Sequence, residues 1–182
     1  MVKWLRLVGI SVGLILGVLV ILFLAYFLPS AKKVVITGTE VKRMDVRPTP
    51  EAGSATRDVR YIVTRTLEGN TLVFRNEDTG WGWPPYFKFD SGDLMGEAVN
   101  LKGEQADAVV LIRYYGWRFS FLDQYPNVLS LRLVAPDHVY VPRVAISVLV
   151  VLLGLGAYLA FVLWRARRRW RAKRAAKKAA ES

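Results

Sequence analysis

Two long uncharged apolar runs limit what this chain can become more than any other feature. From Leu7 to Leu28 there are 22 positions without a charge, which as a helix reach roughly 33 Å at about 1.5 Å per residue. From Val144 to Trp164 there are 21 more, bounded by Arg143 and Arg165, and they reach roughly 31 Å. A bilayer core about 30 Å thick needs roughly 20 such residues. Both runs therefore predict transmembrane helices. Lys3 and Arg6 give the first run the positive leader of a signal peptide. Its length exceeds the roughly 7 to 15 apolar residues usual there, and Pro29-Ser30-Ala31 is a poor cleavage site, so retention of the helix is expected.

Charge then sets orientation. The net charge is +11, and it is unevenly spread: residues 29–143 carry 15 basic and 14 acidic side chains, whereas residues 165–182 carry nine basic side chains against Glu181. Positive flanks of spans stay cytoplasmic, and a long loop translocates largely regardless of its own charge. The expected organisation is a cytoplasmic amino-terminal end (1–6), a first span (7–28), an extracytoplasmic domain (29–143), a second span (144–164) and a basic cytoplasmic tail (165–182). Trp4 and Trp164 then fall at one membrane interface, and Tyr26 and Tyr140 at the other, as an aromatic belt would have them.

The basic balance does not point to nucleic acid, because that reading needs a basic face on a folded domain and the folded part is nearly neutral. The tail, with Arg167, Arg168, Arg169 and Arg171, reads as a stop-transfer flank that attracts anionic membrane lipid at about 1 kcal/mol per basic residue. Within the first span Gly9, Gly13 and Gly17 recur every fourth residue and line one helix face, which lets another backbone approach closely. Either the second span or a second chain, as a homodimer or a membrane-protein partner, can use that face. Neither run contains Asp, Glu, Lys, Arg, His, Asn or Gln, so a proton or ion path through the membrane has no support.

The central segment is long enough for one small domain. Lys32 to Val46 reads as an extended opening strand, and Arg47 to Thr56, with Pro48, Pro50 and Gly53, as a loop. Val59, Tyr61 and Val63 alternate with Arg60 and Thr64, as in a half-buried strand, and Glu68-Gly69-Asn70 turns the chain into a return strand carrying Leu72 and Phe74. Asp90 is placed to cap a short satellite helix with Leu94, Ala98 and Leu101 on one face. Ala108 to Tyr115 reads as a central strand buried on both faces, and Leu129, Leu131 and Leu133 as the apolar face of the last strand. The predicted fold class is a membrane protein with two transmembrane α-helices flanking a small, mostly antiparallel β (α+β) extracytoplasmic domain.

The segment from Arg75 to Ser91, which contains GWGWPPYFKFDS, and the segment from Tyr114 to Asn127, YYGWRFSFLDQYPN, resemble a bacterial family of unknown function made of short two-span inner-membrane proteins. The opening GTEVKRMDV, Gly38 to Val46, fits the same pattern. The resemblance implies a Gram-negative host and a periplasmic domain. It brings no activity and no catalytic residue.

Among candidate contacts, Trp81, Trp83 and Tyr86 belong to a stiff segment with four aromatic rings in seven positions. Such rings either fold back as a lid over the small core or form a surface that stacks on ligands or enters lipid headgroups. Arg113, Tyr115, Trp117 and Arg118 form a second cluster. The bland reading is a structural cation-π contact between Arg and Trp; the functional one is an anionic ligand, a lipid headgroup or envelope glycan, held by Arg113 and Arg118. Asn76, Glu77, Asp78, Asp90 and Asp93 lack the spacing of a calcium loop, and no metal or other cofactor is expected. There is no Cys, and the lone His138 lies six residues before the second run. No G-x-S-x-G, P-loop or dinucleotide fingerprint occurs. No catalytic residue is assigned; a carboxylate pair such as Glu77 and Asp90 keeps a hydrolase as the alternative to a binding or interaction module.

Overall fold

The computed structural model describes residues 2–45, 56–104 and 107–180. The expected loop from Arg47 lies outside the described residues up to Thr56, which already begins a strand. The chain divides into two units, residues 1–141 and residues 142–182.

The first unit opens with a long apolar helix, α1 (Val2–Phe27), whose stretch Leu7–Phe27 is long and apolar enough to cross a membrane. Only Leu28 and the buried Pro29 separate it from β1 (Ser30–Asp45). Proline ends helices because it cannot continue their ladder. There follow β2 (Thr56–Thr66), β3 (Thr71–Asn76), α2 (Ser91–Glu104), β4 (Val110–Tyr115) and β5 (Asn127–Leu133). The β2–β3 turn uses Gly69 at φ 93°, a conformation that a Cβ disfavours.

The strands close into a barrel in the order β1-β2-β3-β5-β4. One long strand makes closure possible, since β1 pairs with β4 from Ser30 to Val34 and with β2 from Val34 to Asp45. Every pairing is antiparallel except that of β3 with β5, which meet in parallel at Arg75 and Asn127. Five strands in this order, with a helix between the third and fourth, form the OB-fold arrangement of a small Greek-key barrel.

The barrel interior is filled by Val34, Ile62, Phe74, Val110, Ile112 and Val128, with Leu94, Ala98 and Leu101 of α2 packed into the same core. That helix is thus part of the core and not a satellite. Gly92 and Gly96 weaken its propensity, but its burial holds it. Its first N–H is met by Asp78: Ser91 N donates to Asp78 Oδ1 at 2.9 Å and Ser91 Oγ to Oδ2 at 2.7 Å. The residue expected to cap it, Asp90, contributes its backbone carbonyl to Leu94 N.

Two strand faces differ from expectation. On β2 the inward residues are Ile62 and Thr64, opposite Phe74 and Leu72, whereas Val59 and Tyr61, each 4% exposed, lie on the other face, where Tyr61 meets Met44 and Tyr125. Alternation cannot say which of two apolar faces points inward. On β5 the register shifts between Arg113 and Tyr114, so that Leu131 faces Ile112 but Val128 faces Tyr114. The extra residue of this bulge, Leu129, reverses the parity. Val128 and Leu131 are therefore both buried; Leu133, opposite Val110 on the same side of the strand as Leu131, is 45% exposed at the strand's end.

The second unit is one helix, α3 (Arg143–Ala180), 38 residues long. Its stretch Arg143–Ala172 is long and apolar enough to cross a membrane, and the helix continues through the basic tail. Phe74→Ala, which empties the centre of the barrel, should lower stability by about 3–5 kcal/mol, whereas truncating the half-exposed Leu133 should cost under about 1 kcal/mol; thermal unfolding of the purified protein in detergent separates the two.

Candidate functional site

Two loops meet at the carboxyl end of α1, and the backbone of that helix holds them. The last carbonyls of a helix have no partner within it. Here Gly116 N donates to Tyr26 O at 2.8 Å, and the Tyr86 hydroxyl donates to Phe27 O. Gly116 sits at φ 89° and lies so close that a Cβ would meet the Tyr26 ring and Pro126 Cα at 3.6–3.7 Å. Gln124 Nε2 adds a hydrogen bond to the Tyr26 hydroxyl, and Trp117 packs edge-on to the Tyr26 ring at 5.5 Å.

The first loop, residues 77–90 between β3 and α2, is pinned from beneath by buried polar side chains. Asn76, fully buried, donates from Nδ2 to Ser91 O at 2.8 Å and accepts Lys88 Nζ at Oδ1 at 2.6 Å. Asn127 bonds both the N–H and the C=O of Glu77, at 2.9 and 3.0 Å. The Glu77 carboxylate is in ion-pair contact with Arg57 and Arg75. Gly80 N bonds Lys88 O at 3.0 Å and Lys88 N bonds Thr79 Oγ1 at 3.2 Å, closing the neck of the loop. A buried ammonium group is costly unless fully partnered, and burial pushes Lys88 down from 10.5 to about 8 against the Asp90 and Asp78 carboxylates, which hold it up.

Above this clamp the aromatic rings point outward. Trp81 is 84% exposed and Trp83 64% exposed, with Phe87 and Phe89 also exposed; the rings do not form a lid over the core. Trp81 clusters with Phe87 and Phe89 at 5.6 Å. Trp83 packs on Phe27 and Phe23 of α1 at 5.3 and 5.9 Å. Tyr86 turns the other way and stacks on Tyr115 at 4.9 Å. Its phenol is pushed up to about 12, first by burial and then by Tyr115, with Arg113 opposing.

The second loop, residues 116–126 between β4 and β5, contains a short 3-10 turn at Ser120–Leu122. Arg118 does not stack on Trp117, as the sequence suggests; its guanidinium lies 3.7 Å over the Tyr125 ring and donates to Gln124 O at 3.0 Å. Between this loop, β3 and the start of β1 lies a cavity of about 350 Å³ at the barrel end nearest α1, lined by Ala25, Lys32, Leu72, Tyr114, Trp117 and Arg118 among others.

The structure therefore brings Trp117 and Arg118 to one cavity and leaves Arg113 out of it, on β4 beside Tyr86. Asp90 is exposed, and both Glu77 oxygens face guanidinium groups, so the two carboxylates form no free acid-base pair. The oxygens of Asn76 and Asp78 serve Lys88 and Ser91. Nothing lies within 4 Å of a Cβ built on Gly9, Gly13 or Gly17. Sequence reasoning missed Lys88, Asn127, Lys32 and Tyr125. The one local signal was a lysine between two phenylalanines, Phe87-Lys88-Phe89.

A family model described as "Protein of unknown function (DUF1523)" matches residues 2–171. An uncharacterised protein of Haemophilus influenzae is 41% identical over 116 residues, covering 62% of this chain and 66% of that protein. No solved structure matches.

Stability should carry the signature of Lys88. Its folded pKa of about 8 lies below its ordinary 10.5, so between these pH values the unfolded chain binds more protons and the contribution to stability rises with pH, by at most about 1.4 kcal/mol per unit. The stability of the wild type relative to Lys88→Met should accordingly increase from pH 8 to 10.5 in denaturant titrations, and a flat difference would contradict the assignment.

Proposed function

The chain belongs to the DUF1523 family, and we propose that it is a two-span inner-membrane protein whose barrel lies in the periplasm and works by binding at the membrane surface. The charge distribution supports the orientation, with +2 before the first apolar run and +8 after the second against +1 between them, because positive flanks remain cytoplasmic. The observation that carries the binding reading is the exposure of Trp81 and Trp83 on a loop held rigid by the Asn76–Lys88 clamp. Large exposed rings on an ordered loop mark an interaction surface, and rigid aromatics bind with little loss of conformational freedom.

Its contacts are the lipid at the α1 end, where Trp83 continues the apolar surface of Phe23 and Phe27, and an envelope component at Trp81, either a protein or a glycan. The Gly9-Gly13-Gly17 face offers a second copy or another membrane protein a close helix approach. The OB-fold arrangement adds only analogy, since one fold hosts many functions. A carboxylate hydrolase is disfavoured by the two arginines that occupy Glu77.

The chain has no cysteine, so single cysteines report topology cleanly. A membrane-impermeant maleimide applied from the periplasmic side should label Glu68→Cys and spare Ser182→Cys. In the same cells a photoreactive side chain replacing Trp83 should capture lipid, and one replacing Trp81 a protein or glycan. Absence of any adduct beyond the chain itself at both positions would overturn the binding reading.

A further inference from the structure

We propose that the cavity at the α1 end of the barrel receives the headgroup of an anionic phospholipid, whose phosphate lies between Lys32 and Arg118. This deepens the membrane-surface reading and rests on α1 being a membrane span.

Strand register comes first. Lys32 pairs with Ile112 and Ser30 with Tyr114, and directly opposed residues share a face. Lys32 thus lies on the same face as the core residues Val34 and Ile112, two positions from the barrel interior at its open end. Among the described residues it makes no ion pair. Lys32 is exposed and lines the cavity, and a cation at a cavity mouth is suited to an anion from outside the chain.

Arg118, from the loop between β4 and β5, is the second cation that lines the cavity. The Tyr125 ring and the Gln124 carbonyl hold the Arg118 guanidinium in place, and an arginine fork fixed in this way matches phosphate geometry. The exposed Asp123 carboxylate lies 3.9 Å from the same Arg118 Nη1, so a phosphate that reaches the guanidinium does so in competition with it. Leu72, Tyr114 and Trp117 add apolar and aromatic wall to the same cavity. A volume of about 350 Å³ falls within the roughly 300–1,000 Å³ of small-ligand sites. The cavity therefore suits an anionic group attached to a less polar body.

Position selects the lipid over a soluble anion. Ala25, two residues before the end of α1, lines the cavity, and at about 1.5 Å per residue its Cα lies only about 3 Å along the helix from Phe27. With α1 in the bilayer, the opening lies at headgroup depth, flanked by Tyr26 and Trp117.

The full chain, purified in detergent, is tested by native mass spectrometry with added phosphatidylglycerol, phosphatidylcholine or inorganic phosphate. The basic tail is identical in all variants, so its own lipid attraction cancels in the comparison. The wild type should retain phosphatidylglycerol at least ten-fold more tightly than Lys32→Gln/Arg118→Gln. Leu72→Trp, which fills the cavity and keeps both cations, should lose the same lipid, and millimolar phosphate should not displace it. Equal retention by all three folded proteins, with thermal unfolding as the check on folding, would overturn the site. Displacement by inorganic phosphate with no preference for the lipid would overturn the lipid as ligand. Alkaline carbonate extraction separates the premises: release from membranes defeats the span reading itself, whereas an integral protein with unchanged lipid retention defeats only the cavity proposal.

Discussion

The rest of this structure depends on the hydrogen bond between Gly116 N and Tyr26 O, together with that from the Tyr86 hydroxyl to Phe27 O. A helix that ends among apolar side chains leaves carbonyls that need donors. The barrel provides them from two different loops, and so binds itself to the helix end without a linker. That requirement brings residues 77–90 and 116–126 together, and with them Trp83, Tyr86 and Trp117. The aromatic rim follows from how the helix is capped.

The second constraint lies under the 77–90 loop. Lys88 is an expensive residue to bury, yet its ammonium satisfies Asn76 Oδ1, while Asn76 Nδ2 satisfies Ser91 O and Asp78 receives the first N–H of α2. Removing one member leaves a buried polar group unpaired, at a cost of about 1–3 kcal/mol. A connected network of buried polar groups of this kind favours a single conformation. Exposed tryptophans on a loose loop would be an aggregation hazard; on a clamped loop they form a defined surface. The polar interior and the apolar exterior of this loop are therefore two parts of one arrangement.

Much of the fold was legible in the chain. The helical runs, the hairpin of β2 and β3 and the helix face Leu94-Ala98-Leu101 follow from local periodicity; the strand expected over Ala108–Tyr115 forms from Val110 and is buried only from Val110 to Ile112, with Arg113 to Tyr115 half-buried. The site was legible only in part: Trp81, Trp83, Trp117 and Arg118 stand out by residue type, but their partners do not. Tyr125 under Arg118, Lys32 across the cavity and Asn127 under Glu77 lie up to 86 positions away from the residues they serve, and no short-range pattern connects them.

The amino-acid sequence by itself determined the two apolar helices, the charge asymmetry around them and the alternating strands between, because each depends on neighbours a few residues apart. Tertiary structure alone decided that the strands close as a barrel through the shared strand β1, that Ile62 and not Tyr61 faces the core, and that Arg118 meets Tyr125 instead of Trp117. These outcomes depend on register and bulges. A single extra residue at Leu129 exchanges the inward and outward faces of a strand, and only the closed ladder of hydrogen bonds selects where that residue falls.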